Sequence, residues 1–349
     1  MNFTYPLSFG KKSSSFLLGA WLLLLLFGLS ISSCNDDEKI PDVRDIHIES
    51  QVYRFDSIYY HTDSADIPAF YQELQKNHPE FLKTYIRFMT APSMRVKDTI
   101  DFLHAMQHPG LRRLYDTTEQ IIGDFSKERA DFAQAFKYVK YYLPKRPTPN
   151  IYTVETEFAI GAYPMSKDLF VGLDMFLGKD FPYDPMVFPD YIKRTMTKEN
   201  IVPYALRAYA DRLSGNIEGE EFLDYIISNG KALYLLDHFL PATPDSVIIR
   251  YTKAQYEWCQ ENEFNMWSHF IHEGLLYSTK MKDFRKLITP SPNSTGMPDE
   301  APGRTGNYMG WQIIKAYMKR YPKTTFEELL ALKDSKLILK KSKYKPKGK

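Results

Sequence analysis

The sequence predicts an α+β domain that is predominantly helical. Apolar residues recur at three- and four-residue spacing through most of the chain, and two stretches near its middle are dense in β-formers. A composition of 44% hydrophobic and 15% aromatic residues supplies a core and argues against disorder. The order helices, short sheet, helices fits one domain.

The first 33 residues are expected to be a disposable export signal. Lys11 and Lys12 form a positive n-region, Phe16 to Leu29 an apolar run broken only by Gly19 and Gly28, and Ile31-Ser32-Ser33 places small residues before Cys34. The run is about 14 residues, short of the roughly 20 that span a bilayer. That is the pattern of a bacterial lipoprotein signal. Cys34 is the expected lipidation site, and a covalent lipid there is the only cofactor expected. Two or three acyl chains exceed the single-chain threshold for stable anchoring.

Lipid on Cys34 would leave Cys259 as the second of two cysteines, so no intrachain disulfide is expected. Between Trp258 and Gln260 in a helical stretch, Cys259 reads as a small buried residue rather than a reactive nucleophile. Residues 34–45 read as an acidic tether. Its Asn35-Asp36-Asp37-Glu38 is either a spacer or similar to short acidic signals that send some Bacteroidetes lipoproteins to the cell surface.

Residues 46–339 are expected to form a single domain, followed by a basic tail at 340–349. The precursor's charge of +2 comes from Lys11 and Lys12, so the remaining 316 residues balance 43 basic against 43 acidic side chains. A nucleic-acid partner is not suggested. Six lysines and no acid in the tail form a frayed solvated end or meet anionic lipid, lipopolysaccharide phosphate or an acidic protein.

Ile46 to Phe55 alternates in the manner of a strand. Helical spacing covers 66–76, 79–90, 98–107, 117–142, 190–213, 219–240, 252–278, 307–321 and 325–332. Asn150–Phe158 and Leu169–Leu177 read as strands, launched by the stiff turn from Pro144 to Pro149. Pro290 to Pro302 is a proline-rich loop, of a length that is mobile or functional.

Metal and nucleophile motifs are missing. His272-Glu273 begins a zinc-protease pattern, but the second histidine is replaced by Leu276. With Trp267, Phe270, Ile271, Gly274 and Leu275 as an apolar stripe, His269 and Glu273 are expected on a solvated face. His104 and His108 stand four apart but reach a Pro-Gly helix end. There is no Gly-x-Ser-x-Gly elbow and no phosphate loop, and Gly303-Arg304-Thr305-Gly306 reads as a helix entry capped by Thr305, at which Arg304 would also suit an anion.

Several stretches together resemble the gliding motility-associated GldB lipoproteins of the Bacteroidetes. They are Ile31 to Cys34, Phe170 to Gly178 (FVGLDMFLG), Phe222 to Ala232 (FLDYIISNGKA) and Pro302 to Ile313 (PGRTGNYMGWQI). The family looks like a relative of predicted zinc proteases of the zincin type, which implies a zincin-like α+β domain. Such relatives carry a His-Glu-x-x-His helix and a third ligand on a later helix. The matching positions here are Ile201–Tyr209, without histidine, and Asn229, so the metal ligands are gone. Val202, Leu206, Tyr209 and Leu213 form a core-facing stripe in that helix.

The resemblance implies a non-catalytic component of gliding or of the associated secretion machinery, anchored at the outer rather than the inner membrane and acting through a protein partner. Expected contact points are the Pro290–Pro302 loop, the lysine tail, and Arg304, Asn307 and Trp311. A rival reading is a hydrolase using Asp174 with Glu155 and Glu157, the last two on one strand face. A structural anchor or chaperone for an exported client reads the same in sequence.

Overall fold

Ile151, Leu169 and Val171 enter one hydrophobic cluster, while Tyr152, Val154 and Phe170 enter another. Alternate residues of neighbouring strands thus cover opposite faces of a sheet that is buried on both sides. In this computed structural model the sheet consists of β1 (Val52–Tyr53), β2 (Asn150–Val154), β3 (Ala162–Pro164) and β4 (Asp168–Gly172), in the order β1-β2-β4-β3. β1, β2 and β4 are parallel, with Ile151 beside Leu169, and β3 is the antiparallel edge. The structure describes residues 1, 40–89, 101, 108–165 and 167–348. The chain divides into two units, Met1–Asp42 and Val43–Lys349, and the sheet with its helices belongs to the second. The expected signal, Cys34, most of the tether and most of the 98–107 helix lie outside the described residues.

Aromatic rings make up most of the smaller cluster. α1 (Phe55–His61), α2 (Ile67–Asn77) and α3 (Pro79–Met89) bring Phe55, Tyr59, Tyr71, Phe81 and Tyr85 onto Tyr152 and Phe170. Phe81 stacks on Tyr152 at 4.3 Å between centroids. The expected strand over 46–55 is therefore a two-residue strand, with Phe55 already in a helix. Placing Phe55 and Tyr59 four apart on that helix buries both rings on one face, which an extended chain would not do.

The larger cluster holds the remaining helices. α4 (Pro109–Ile122) and α5 (Ser126–Tyr142) replace the single helix expected over 117–142, because Gly123 and Phe125 take left-handed backbone conformations. After the sheet come α6 (Asp190–Lys193), α7 (Ile201–Ser214), α8 (Phe222–Phe239), α9 (Asp245–Ile248), α10 (Lys253–Glu261), α11 (Glu263–His272) and α12 (Met281–Ile288). α13 (Thr305–Arg320), α14 (Phe326–Ala331) and α15 (Ser335–Ser342) complete the domain. The observed class is thus α+β, predominantly helical. α8 and α13 cross so closely that a Cβ on Gly310 would lie 1.8 Å from the Ile226 carbonyl oxygen. The stretches FLDYIISNGKA and PGRTGNYMGWQI therefore meet at one backbone contact, through Gly230 and Gly310.

α15 extends past the expected boundary at 339, and Tyr344 beyond it donates a hydrogen bond to Glu263 Oε1 at 2.7 Å and packs edge-on against Trp267. The start of the basic segment is thus docked on the domain and not frayed.

Candidate functional site

Three carboxyl side chains stand just beyond the carboxyl ends of the three parallel strands. Asp56 follows β1, Glu155 follows β2 and Asp174 follows β4; all three are buried. The ends of parallel strands are where open α/β sheets bind ligands. Asp56 is fully engaged: Arg54 donates to it through Nε and Nη2, and Thr153 Oγ1 donates at 2.5 Å.

Asp174 is engaged with backbone. It lies in the 3-10 turn Leu173–Phe176 and accepts hydrogen bonds from the Thr156 amide and hydroxyl and from the Phe158 amide, the last at 2.6 Å. The reason is topological. Because β3 lies outside β4, the chain leaving β2 must cross the end of β4 to reach it. Gly172 makes room: a Cβ there would sit 2.0 Å from the Ile160 carbonyl oxygen. Asp174 then holds the crossing segment, in which Glu157 and Phe158 both take positive φ.

That crossing separates the two glutamates expected to share a strand face. The strand ends at Val154, Glu155 is 1% exposed and Glu157 projects to solvent. Neither oxygen of Glu155 has a hydrogen-bond partner among the described residues. Thr118 is a polar neighbour, but its hydroxyl donates to the Leu114 carbonyl and so has only lone pairs to offer. Such surroundings suit a protonated acid. Burial, reinforced by the charge of Asp174, pushes the Glu155 carboxyl well above the ordinary carboxylate range. Burial likewise raises Asp174 to about 6, against the pull of its backbone donors.

A cleft of about 470 Å³ opens beside the crossing segment, lined by His108, Arg113, Leu114, Thr117, Glu157, Phe158 and Phe181 among others. Of the three acids in the hydrolase reading, Glu157 alone lines it. His108 is the cap of α4, its Nδ1 accepting from the Gly110 amide; His104 lies outside the described residues.

At the positions that the expected zincin likeness would give to zinc ligands, α7 and Asn229, the donor set is wrong for a cation. Arg207 Nη2 donates to Asn229 Oδ1 at 2.9 Å, so a guanidinium already occupies the one suitable oxygen. Arg207 Nε pairs with Asp211, also at 2.9 Å. Val202, Leu206 and Tyr209 are buried as the stripe predicted, with Leu213 packed against the same core. Among the described residues no three His, Cys, Asp or Glu side chains are grouped to hold a metal ion. Glu273 is exposed, as expected of a solvated face, and bonds His272 at the end of α11, whereas His269, expected on the same face, is half-buried beside Gly296. Ile271 departs from its stripe and is exposed, because Met266 and Phe270 make the buried face.

The contact residues expected on α13 need correction. Trp311 is 0% and Asn307 4% exposed, and they belong to the interior. Asn307 donates to the Ile288 carbonyl, and the Lys315 ammonium lies 3.9 Å from the centre of a Trp311 ring. The close crossing at Gly310 draws this face of α13 inward, which local sequence does not reveal. Arg304 itself, with φ of 67°, is the residue before the helix and donates through Nη2 to the Arg250 carbonyl. Thr305 is buried and does not cap the helix; its hydroxyl bonds Ser294, whose hydroxyl reaches Pro302. The proline-rich loop is thus tied at its base, while Pro292, Thr295, Gly296 and Pro298 to Glu300 are exposed. Cys259 is fully buried, and burial pushes its thiol up to about 12.

The fold and these sites define a predominantly helical α+β domain in which backbone amides hold Asp174 and a backbone carbonyl holds Arg304. A family model described as gliding motility protein GldB, and labelled as a lipoprotein family, matches residues 36–346, and the chain belongs to that family. It is therefore a gliding motility-related lipoprotein. No curated protein and no solved structure matches the chain. Among the described residues no helix is long and apolar enough to cross a membrane.

Proposed function

We propose that the protein is held at the outer membrane by lipid on Cys34 and serves gliding motility, or the protein secretion associated with it, by binding another envelope protein without catalysing a reaction. Family membership supports the process. The Arg207–Asn229 contact supports the non-catalytic part, since a guanidinium takes the oxygen that the expected zincin likeness would offer to zinc. The exposed rim of the Pro290–Pro302 loop is the contact surface this reading now favours, with Asn307 and Trp311 withdrawn to the core.

Replacing Cys34 with serine tests the anchor. The expected result is loss of the chain from the outer-membrane fraction together with loss of gliding; full gliding by an unanchored chain would refute the reading. Zinc recovered at one equivalent per chain after dialysis against a chelator would refute the non-catalytic part.

One observation favours the hydrolase reading: Asp174, raised to about 6, acts through its charge on the buried Glu155, and two such acids make a pair of the kind used in proton transfer. Its bonds to Thr156 and Phe158 account for it structurally. Gliding by cells carrying a folded Asp174→Asn chain removes the enzyme reading; abolished gliding with normal chain levels favours it.

A further inference from the structure

Arg194, Arg207, Arg250 and Arg304 come from four separate segments of the fold and lie close enough for the charges of the first three to act on the fourth. Arg194 follows α6, Arg207 lies on α7, Arg250 follows α9, and Arg304 precedes α13. Arg304 reaches the Arg250 carbonyl at 2.9 Å, and the Arg250 guanidinium lies 3.8 Å from the centre of the Tyr204 ring on α7. The Arg304 guanidinium is 5.6 Å from the ring of Tyr251, whose hydroxyl donates to the Gly303 carbonyl. Arg194, Arg207 and Arg250 each repel the charge on Arg304.

Arg207 pairs with Asp211, whose charge also reaches Arg250 without an ion-pair contact. Among the described residues no carboxylate lies within ion-pair distance of Arg194, Arg250 or Arg304. Arg194 Nε is buried with no hydrogen-bond partner there. Charges removed from water are ordinarily paired, and a donor left unmatched inside a protein is destabilising. The backbone is strained at the same place. Arg250 and Arg304 both take left-handed conformations, with φ of 60° and 67°, which non-glycine residues adopt at an energetic cost.

We propose that Arg194, Arg250 and Arg304 form a binding site for a phosphate-class dianion, free or esterified, beside the rings of Tyr204 and Tyr251 and at the amino end of α13. The chemistry selects this class. Three guanidiniums without a carboxylate leave a formal charge that one carboxylate answers only in part. A phosphate carries up to two charges on oxygens directed tetrahedrally, and forked guanidinium donors match it from several sides. The 16-residue helix starting at Thr305 adds positive potential at its amino end. The site stands apart from the carboxyl cluster and from the proposal about gliding, and its test is independent of both.

The full chain, purified in detergent, is titrated with sodium phosphate and separately with glycerol 1-phosphate, with melting temperature as the readout and chloride at matched ionic strength as the control. A saturable rise with either phosphate, beyond the chloride control, is expected; a larger rise with the ester identifies an esterified ligand, and a larger rise with phosphate a free ion. Arg194→Gln should weaken the apparent affinity at least tenfold without lowering the melting temperature in chloride, since Arg194 Nε makes no hydrogen bond to lose. Arg320→Gln, exposed at the far end of α13, should bind as the unsubstituted chain does. The same rise in chloride as in both phosphates, or undiminished binding by Arg194→Gln, overturns the proposal.

Discussion

Gly230 and Gly310 meet backbone against backbone: a Cβ added to Gly230 would stand 2.3 Å from the Gly310 carbonyl oxygen. The contact sets the distance between α8 and α13, and α13 in turn carries Trp311, Met309 and Ile313 into the core. Gly310→Ala would force the two helices apart, since the obstructing atoms are backbone and cannot rotate away. A loss of about 1–3 kcal/mol or more is expected in urea unfolding. A stability equal to that of the unsubstituted chain would show that the crossing tolerates separation.

Asp174 is expected to act as a fastener for the segment that crosses β4. In Asp174→Asn an amide nitrogen replaces one acceptor facing the Thr156 and Phe158 amides, leaving a buried N–H unmatched. The expected cost is about 1–3 kcal/mol, with faster amide hydrogen exchange concentrated at residues 156–161. Exchange spread evenly over the domain would argue against a local fastener.

The buried carboxyl of Glu155 makes stability depend on pH in a definite direction. Its folded pKa is raised, so the folded chain keeps a proton that the unfolded chain releases. The contribution is complete below the ordinary glutamate value and is lost as pH rises through the folded one. Glu155→Gln should therefore flatten the fall in stability between about pH 5 and pH 8. Chemical denaturation at the two pH values checks this, and an unchanged slope would mean that Glu155 is ionised in the fold.

Cys259 should be silent toward thiol reagents in the folded protein. Burial removes access and raises the thiol to about 12, so almost no thiolate exists at neutral pH. Labelling is expected to follow the rate of unfolding and to become fast in denaturant. Rapid labelling of the native chain would place the thiol at the surface.

Much of this was legible locally. Helices over 67–77, 201–214, 222–239 and 305–320 follow from apolar spacing to within a few residues at most ends. The inner strands β2 and β4 follow from β-branched and aromatic runs, and the solvated state of Glu273, though not of the half-buried His269, from helix phase. The short edge strand β3, with three residues, carries too little pattern to be seen. α15 was hidden because its lysines read as tail, while Ile338, Tyr344 and the Tyr344–Glu263 bond dock that end of the chain.

The sequence by itself determined the α+β class, the two inner strands and the core stripe of α7, because each depends on the period of side chains along a single element. Tertiary structure alone decided that Glu155 is buried while Glu157 is exposed, that Trp311 faces inward, and that four arginines from distant segments share one region. The reason is physical: the crossing of β4 and the glycine contact between α8 and α13 bring together backbone far apart in the chain, and no local periodicity records such an encounter.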